Sequence, residues 1–381
     1  MQVLYLPGYS SGNPYLRQLQ SHLADEDVDV VIPEGSAAIS IFGLFSLFPI
    51  LGAVHRYGKP DVLHLHWLHP FIVAKDRSSW LSGPLAVQFF LELLVLKALG
   101  VRIVWTVHNL KDHERRAGGT EMVVRHGLGR LADSIVVHGE SVVDTVMDAY
   151  RLPERARQKF VAIQHGNYLD NYPNEVSRES AREFVDADDD ETVFVYFGRI
   201  RPYKNVPELV RTFRELDDEK LRLVVVGMPN SDALASEIER LAGDDERISL
   251  VLEFVDNEDV QLYMNAADAV VLPFSEILTS GSTILAMSFG RAVVVPDIGC
   301  VGELTAHDPA QASITYDPAD PDGLRQAMCT VRDVDTEAIG AANRTFAKSL
   351  DWETVAERTA SVYRGAYPRT ERPVPVATPA D

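Results

Sequence analysis

The sequence predicts an α/β protein made of two facing Rossmann-like domains with parallel sheets, and three observations carry the prediction. At 381 residues the chain exceeds what one hydrophobic core ordinarily organises, so two domains of about 150 to 190 residues are expected. Short β-branched runs alternate with longer helical patterns, as they do when helices cross over between parallel strands. The alternation stops over residues 174–191, where the run DADDDE lies between patterns, and then begins again.

In the first half, residues 3–6 are predicted as a strand, followed by a turn of small residues (Gly8, Ser10, Ser11, Gly12) and a helix from Pro14. Residues 61–65 (DVLHL), 102–107 (RIVWTV) and 134–137 (SIVV) are further strands. In the second half, strands are predicted over 192–197, 221–226, 269–272 and 292–295, with helices over 206–216, 233–241, 260–265 and 283–289. A last helix is expected around 352–366 and a disordered tail over 369–381. Ligand-binding groups of parallel sheets collect at the carboxyl ends of the strands. In the first half that rule singles out residues 8–12, 64–69, His108, Asn109 and 138–141. Two consecutive halves of similar length also imply a cleft between them.

Composition narrows the function. With 56 acidic against 36 basic residues, a formal charge of -20 argues against a nucleic-acid partner, because phosphate backbones are held by Lys and Arg. Such a surface suits a salt-rich, halophilic cytoplasm, and it equally suits an ordinary acidic protein. Cys300 and Cys329 are too few for a disulfide framework, which predicts a reducing, cytoplasmic compartment. The start MQVLYLPGYSSG lacks the basic stretch, apolar core and cleavage site of a secretory leader. Residues 37–54 are nearly uncharged but contain Gly43, Pro49 and Gly52. They read either as a buried helix or as an interfacial patch, touching the inner face of the cell membrane or a lipid-linked acceptor. Residues 85–99, interrupted by Gln88, Glu92 and Lys97, read as a buried helix.

Two segments carry the strongest site signals. Gly198 follows a strand directly in FGRIRPYKN, so backbone there can approach a ligand closely, and Arg199 and Lys204 can converge on a pyrophosphate as a fork and a point charge. The competing reading is a solvated basic turn. The second segment runs through Glu276, Thr279, Ser280, Gly281, Ser282 and Thr283 into a helix. Unpaired amides at a helix N-terminus form an anion site, and N-capping by Ser280 or Ser282 is compatible with it.

The histidines invite a reading as metal ligands. His64, His66 and His69 alternate with Leu and Trp67, the alternation is expected to send their side chains to opposite faces, and no carboxylate or Cys set completes a shell. Structural roles or substrate contacts are expected instead. His113-Glu114 lacks the second His of a zincin helix, and DADDDE falls in the predicted linker. His108 is the best candidate for a catalytic histidine, with a merely orienting role as the alternative.

The order of these motifs resembles the family 4 glycosyltransferases of GT-B fold: strand, Gly-Arg, Lys-Asn and helix, then a Glu-bearing loop, a helix ending Ser-Phe-Gly-Arg, and the strand AVVVPD. Asp351-Trp352-Glu353, residues 105–109 (WTVHN) and residues 164–168 (QHGNY) extend the resemblance over nearly the whole chain. It implies a metal-independent transferase that moves a sugar, with retention, from a UDP-sugar or GDP-sugar to an acceptor hydroxyl in lipid-linked glycan, glycoprotein or polysaccharide assembly. Arg199 and Lys204 would stabilise the leaving diphosphate, with Gly198, Asn205, Glu276 and residues 279–283 also at the donor. His108 would face the donor sugar, while Gly8, Ser10, Ser11, Gly12, Asn109 and His165 would line the acceptor or diphosphate. The domains implied are an acceptor domain (1–173), a linker (174–191), a donor domain (192–350) and a helix bracing the first domain (351–368). One departure stands out. Counting back from Gly290, the positions of the family's paired Glu residues hold Ile277 and Leu285, with Glu276 displaced by one. That leaves two other readings open, a non-catalytic binding subunit and a nucleotide-sugar epimerase.

Overall fold

The computed structural model describes residues 1–8, 14–33, 48–72, 81–111, 119–306 and 313–367. The chain divides into two compact units, Met1–Gln164 with Trp352–Asp381, and His165–Asp351.

The first unit runs β1 (Gln2–Leu6), α1 (Pro14–Asp25), β2 (Asp29–Val31), α2 (Pro49–Tyr57), β3 (Val62–Leu65), α3 (His69–Ile72), α4 (Ser82–Ala98), β4 (Arg102–Thr106), α5 (Gly119–Leu131), β5 (Ser134–Val137), α6 (Val143–Ala149) and β6 (Phe160–Ala162). Its sheet is parallel, in the order β2-β1-β3-β4-β5-β6. All four residues of β3 are buried, as expected of a parallel strand covered on both faces by crossover helices. Strand order reverses between β1 and β3, which makes their carboxyl ends the switch point where such sheets bind ligands.

The second unit runs α7 (Arg178–Phe184), β7 (Thr192–Phe197), α8 (Val206–Arg214), β8 (Leu221–Val226), α9 (Asp232–Ala242), β9 (Ile248–Val251), α10 (Val260–Ala266), β10 (Ala269–Val271), α11 (Gly281–Ser288), β11 (Ala292–Pro296), α12 (Gly299–Thr305), β12 (Ile314–Tyr316), α13 (Gly323–Thr330) and α14 (Thr336–Ser349). Its parallel sheet has the order β12-β11-β10-β7-β8-β9, so the reversal falls between β7 and β10. The closing helix α15 (Trp352–Arg364) belongs to the first unit. It packs on α1, where Trp352, Val355, Ala356 and Tyr363 share a core with Tyr5, Tyr15 and Leu19.

Three expectations change. Residues 174–191 are not a bare linker: they contain α7, capped by the Ser177 hydroxyl accepting from Ser180 N. α7 packs on α10, and Ala181 and Val185 join the core of the second unit. The physical reason is a polar hub at Asp268, which accepts from Arg178 (2.5 Å), from Arg182 (3.2 Å) and from Val193 N (2.7 Å). Residues 165–173, expected in the first domain, lie in the second unit, where Tyr168 N donates to Ser288 Oγ at 3.1 Å. Residues 85–99, expected as a buried helix, fall in α4 and its C-cap Leu99, and are buried on one side only, with Val87, Leu91, Leu94, Val95 and Leu99 exposed. Of residues 37–54, only 48–54 are described; Pro49 opens α2, and Ile50, Gly52 and Ala53 are buried.

Candidate functional site

In the second unit the switch point gathers three of the predicted residues. β7 ends at Phe197, and Gly198 turns the chain with φ of 131°, a region open to glycine and strained for other residues. A Cβ on Gly198 would lie 2.8 Å from Ser282 Oγ and 3.2 Å from Lys204 Nζ. The absence of a side chain is therefore what lets these two groups meet beside the backbone. Lys204 Nζ donates to Ser282 Oγ at 3.4 Å and lies 5.9 Å from the centre of the Phe274 ring. Burial, with the neighbouring Arg201 and Arg199, pushes its ammonium down to about 8. Three cationic side chains share this corner, and Arg199 is exposed.

The backbone around Lys204 is fixed from two sides. Tyr203 O accepts from Ser275 N (2.9 Å) and Ser275 Oγ (3.1 Å), which ties the turn after β7 to the strand end after β10. Asn205 closes the short helical turn Pro202–Lys204 in the left-handed region, φ 55° and ψ 31°, where Asn is among the residues best tolerated. Its side chain makes no cap to α8, so conformation is the role the fold gives it.

At the head of α11 the hydroxyls divide. Ser280 Oγ accepts from Thr283 N (3.1 Å) and from Thr283 Oγ1 (2.9 Å). Thr283 Oγ1 thus spends its proton within the cap, while Ser280 Oγ accepts both bonds and keeps its own proton to donate. Thr279 Oγ1 is buried without a hydrogen-bond partner, and Glu276 is exposed. Of this segment, Ser282 is the residue that meets Lys204. Leu285, at one of the positions where the resemblance would place an acid, is buried in the core.

The first unit holds a cluster of histidines across the ends of β3, β4 and β5. His64 and His66 stand two residues apart, so they share a face, with ring centroids 4.1 Å apart; the expectation of opposite faces is corrected by the two-residue period of a strand. His64 Nδ1 meets the Tyr363 hydroxyl and its Nε2 the Thr106 hydroxyl, both at 2.7 Å, and Tyr363 meets Tyr5 at 2.7 Å. A second chain runs from the Ile163 carbonyl to His138 Nδ1 (3.0 Å), from His138 Nε2 to His108 Nδ1 (3.3 Å), and from His108 Nε2 to His66 Nδ1 (3.1 Å).

That second chain has a direction. A carbonyl only accepts, so the proton is on His138 Nδ1. Burial lowers His138 to about 4 and His66 well below the usual histidine value, so His138 is neutral and its Nε2 accepts from His108 Nδ1. With His108 neutral, its Nε2 accepts from His66 Nδ1, leaving His66 Nε2 a bare lone pair. That nitrogen is buried without a partner, and an unpaired lone pair is the less costly orphan than an unpaired N–H. Both ring nitrogens of His108 are therefore engaged within the cluster, and Trp67 stacks on its face at 4.6 Å. The histidine expected to face the donor sugar is held by its neighbours. The sequence marks His138 only as a strand-end residue and His66 also as one of three alternating histidines, and nothing in their spacing announces the pairing.

The remaining predicted residues are placed as follows. Gly8 is required by a close backbone approach, since a Cβ there would sit 1.9 Å from Pro33 O. Ser10, Ser11, Gly12, His113 and Glu114 lie outside the described residues. The Asn109 carbonyl accepts from Arg125 (2.8 Å) and from the Tyr150 hydroxyl (3.1 Å). His165 lies in the second unit, where its Nδ1 donates to Gly166 O at 2.7 Å and its Nε2 stands 3.4 Å from the Tyr168 hydroxyl. That hydroxyl is 2.9 Å from where a Gly281 Cβ would be, which joins His165 to the head of α11 through Tyr168. Sequence reasoning names Tyr168 only within the run QHGNY, with no place at the site, and misses Gly227, whose Cβ would sit 2.1 Å from Gly198 O. A Gly following each of two adjacent strands was the available signal. No group of three or more His, Cys, Asp or Glu able to hold a metal ion occurs among the described residues.

Comparison with known proteins adds independent findings. The profile of the glycosyl transferases group 1 family matches residues 191–333. The GDP-mannose:glycolipid 4-beta-D-mannosyltransferase of Xanthomonas campestris pv. campestris is 31% identical over 291 residues, covering 74% of this chain and 70% of that enzyme. The D-inositol 3-phosphate glycosyltransferase of Streptomyces avermitilis is 27% identical over 346 residues, covering 82% and 67%. Among solved structures, Anabaena HepE in complex with UDP and glucose aligns with a TM-score of 0.71 at 16% identity, over 96% of this chain and all 100% of that one. Sucrose-phosphate synthase from Thermosynechococcus elongatus aligns with a TM-score of 0.69 at 18% identity, over 96% and 98%.

Proposed function

Since the chain belongs to the glycosyl transferases group 1 family, as a nucleotide-sugar-dependent glycosyltransferase of GT-B fold, we propose that it moves mannose from GDP-mannose to a hydroxyl of a lipid-linked glycan. The observation that carries this reading is its likeness to a glycolipid mannosyltransferase over most of both chains. In this proposal the second unit is the donor domain. Lys204, with Arg199, takes the charge of the departing diphosphate, an electrostatic role that a fixed cation fills without reorganisation. Gly198 and Ser282 keep the space beside Lys204, and the first-turn amides of α11 face the phosphates. The first unit is the acceptor domain, with His108 orienting the substrate from within its histidine cluster.

The Xanthomonas enzyme's name specifies a β-mannoside product. We therefore propose a β-linked product here, which for an α-linked donor means inversion and not the retention implied by the sequence resemblance. The apolar residues 37–54 support a peripheral contact at the membrane face; among the described residues no helix is long and apolar enough to cross a bilayer.

The test is to supply GDP-mannose and, separately, UDP-glucose with a detergent-dispersed lipid-linked oligosaccharide. The expected result is acceptor-dependent release of GDP and an acceptor enlarged by one hexose, with the β configuration at its anomeric proton. Turnover of UDP-glucose in preference to GDP-mannose would overturn the donor assignment, and an altered free nucleotide sugar in the absence of acceptor would restore the epimerase reading.

A further inference from the structure

A cavity of about 490 Å³ opens at the amino edge of the second unit's sheet, lined among others by Arg178, Asp268, Arg291, Glu337 and Arg344. Asp268 and Arg291 directly precede β10 and β11, whereas Gly198 and Lys204 follow β7, and in a parallel sheet those are opposite edges. α11 runs from one to the other. Ser282 lies in its first turn and Ser288 ends it, 8 residues in all, a length of about 12 Å.

Three guanidinium groups meet over backbone carbonyls at this cavity. Arg291 Nε donates to Phe289 O at 3.0 Å and its Nη1 to Ala267 O at 3.4 Å, while Arg178 Nη1 donates to that same Ala267 O at 3.2 Å. Arg344 Nη1 donates to Ser288 O at 2.6 Å. Close packing of α14 sets these positions: a Cβ on Gly340 would lie 2.1 Å from Gly290 O, and Asn343 Nδ2 donates to Arg291 O at 2.8 Å. Of the five N–H donors on a guanidinium, these bonds engage two on Arg291 and one on Arg344.

The charge of this pair is also unanswered. Asp268 is engaged by Arg178 and Arg182, and the ion pairs among the described residues include neither Arg291 nor Arg344. Burial, and then the nearby Arg178, pull the Arg291 guanidinium down to about 10. With 56 acidic against 36 basic residues in the chain, a scarcity of acids does not explain two cations without a carboxylate at one cavity.

We propose that this cavity binds a small organic phosphate monoester, gripped by Arg291 and Arg344 with Arg178 beside them. A guanidinium fork matches phosphate oxygens two at a time, and a dianion answers both unpaired cations where a carboxylate answers one. The volume lies in the range of small-molecule sites and leaves room beyond the phosphate for a sugar. A concave pocket of this size suits a small molecule and not the surface of a protein partner. Glu337, exposed in the first turn of α14, opposes an anion from the rim. The cavity shares no residue with the donor corner around Lys204, so its test stands whether or not the donor assignment holds.

The test is calorimetric titration of the full chain with glucose 6-phosphate, inorganic phosphate and glucose. The expected result is saturable binding of glucose 6-phosphate, weaker binding of inorganic phosphate, no binding of glucose, and loss of affinity as salt rises. Arg344→Gln lowers the affinity for glucose 6-phosphate by about 10- to 100-fold, the effect of removing hydrogen bonds to a charged group. Glu337→Gln, at an exposed position that folding tolerates, raises it by about two- to fivefold. Lys204→Ala leaves it at the wild-type value. Absence of binding by either phosphate would overturn the proposal, as would equal binding of glucose. So would wild-type affinity in both Arg344→Gln and Glu337→Gln, or loss of binding in Lys204→Ala, which would place the phosphate at the donor corner instead. Inorganic phosphate bound as tightly as glucose 6-phosphate would overturn the organic part of the assignment and leave a site for the free ion.

Discussion

Lys204 makes opposite demands on stability and on catalysis, and pH separates them. Its ammonium is lowered from 10.5 to about 8, so between those values the unfolded chain binds more protons than the folded one, and stability rises with pH across that window. Below about 8 the cation is present and able to hold a diphosphate. We expect kcat/KM for the donor to fall as pH rises through about 8 while the donor-free protein becomes more stable, checked by a pH–rate profile beside a pH series of thermal unfolding. Lys204→Ala should lose about 100- to 1,000-fold in kcat, the usual effect of removing one preorganised electrostatic group. Gly198→Ala tests the space beside it: the strained φ costs about 1–3 kcal/mol, and the methyl must displace Ser282 Oγ or Lys204 Nζ. Both a lowered melting temperature and weaker GDP binding by calorimetry are expected. In the first unit, nitrogen NMR at neutral pH should find His66, His108 and His138 all protonated on Nδ1, and an Nε2–H signal from His138 would break the chain of tautomers.

At the scale of the element, α7 shows how a polar hub recruits a segment that composition marks as a linker. Arg182 is 3% exposed, and its partner Asp268 also receives Arg178 and the first amide of the β7 interior. Removing the carboxylate strands a buried guanidinium, which costs about 3–5 kcal/mol. Asp268→Ala should therefore lower the denaturation midpoint strongly and expose residues 174–191 to limited proteolysis, whereas the native segment resists it. α4 shows the reverse relation. An all-apolar pattern cannot say how many sides of a helix are covered, and here one side is not.

Across the whole molecule the charge of -20 acts on every contact at once, since like charges repel in the compact state and salt screens them. We expect the melting temperature to rise between low and molar KCl, and an unchanged value would show that the acidic groups are already balanced locally. The closing helix is a second global device: Trp352 and Tyr363 are buried with Tyr5 and Tyr15 although they stand more than 300 positions later in the chain. Its packing answers a demand of the first unit that no local pattern states.

What the sequence determined by itself follows from burial on both faces. β5, β7 and β8 are legible to the residue because a covered parallel strand must be a continuous apolar run. β2, β6, β9 and β12 are not: they are the edge strands of the two sheets, each with partly exposed residues, so no fully covered apolar run marks them. The strand-end glycine and cations of the second half were likewise readable, because local order places them at a carboxyl edge. Only the tertiary structure decided which of them meet: Lys204 finds Ser282 across 78 positions, and His108 is held by His66 and His138 across 42 and 30. Those contacts depend on which strands are neighbours in the sheet, and strand order is set by the packing of crossover helices over the whole domain, for which no short stretch of chain carries a signal.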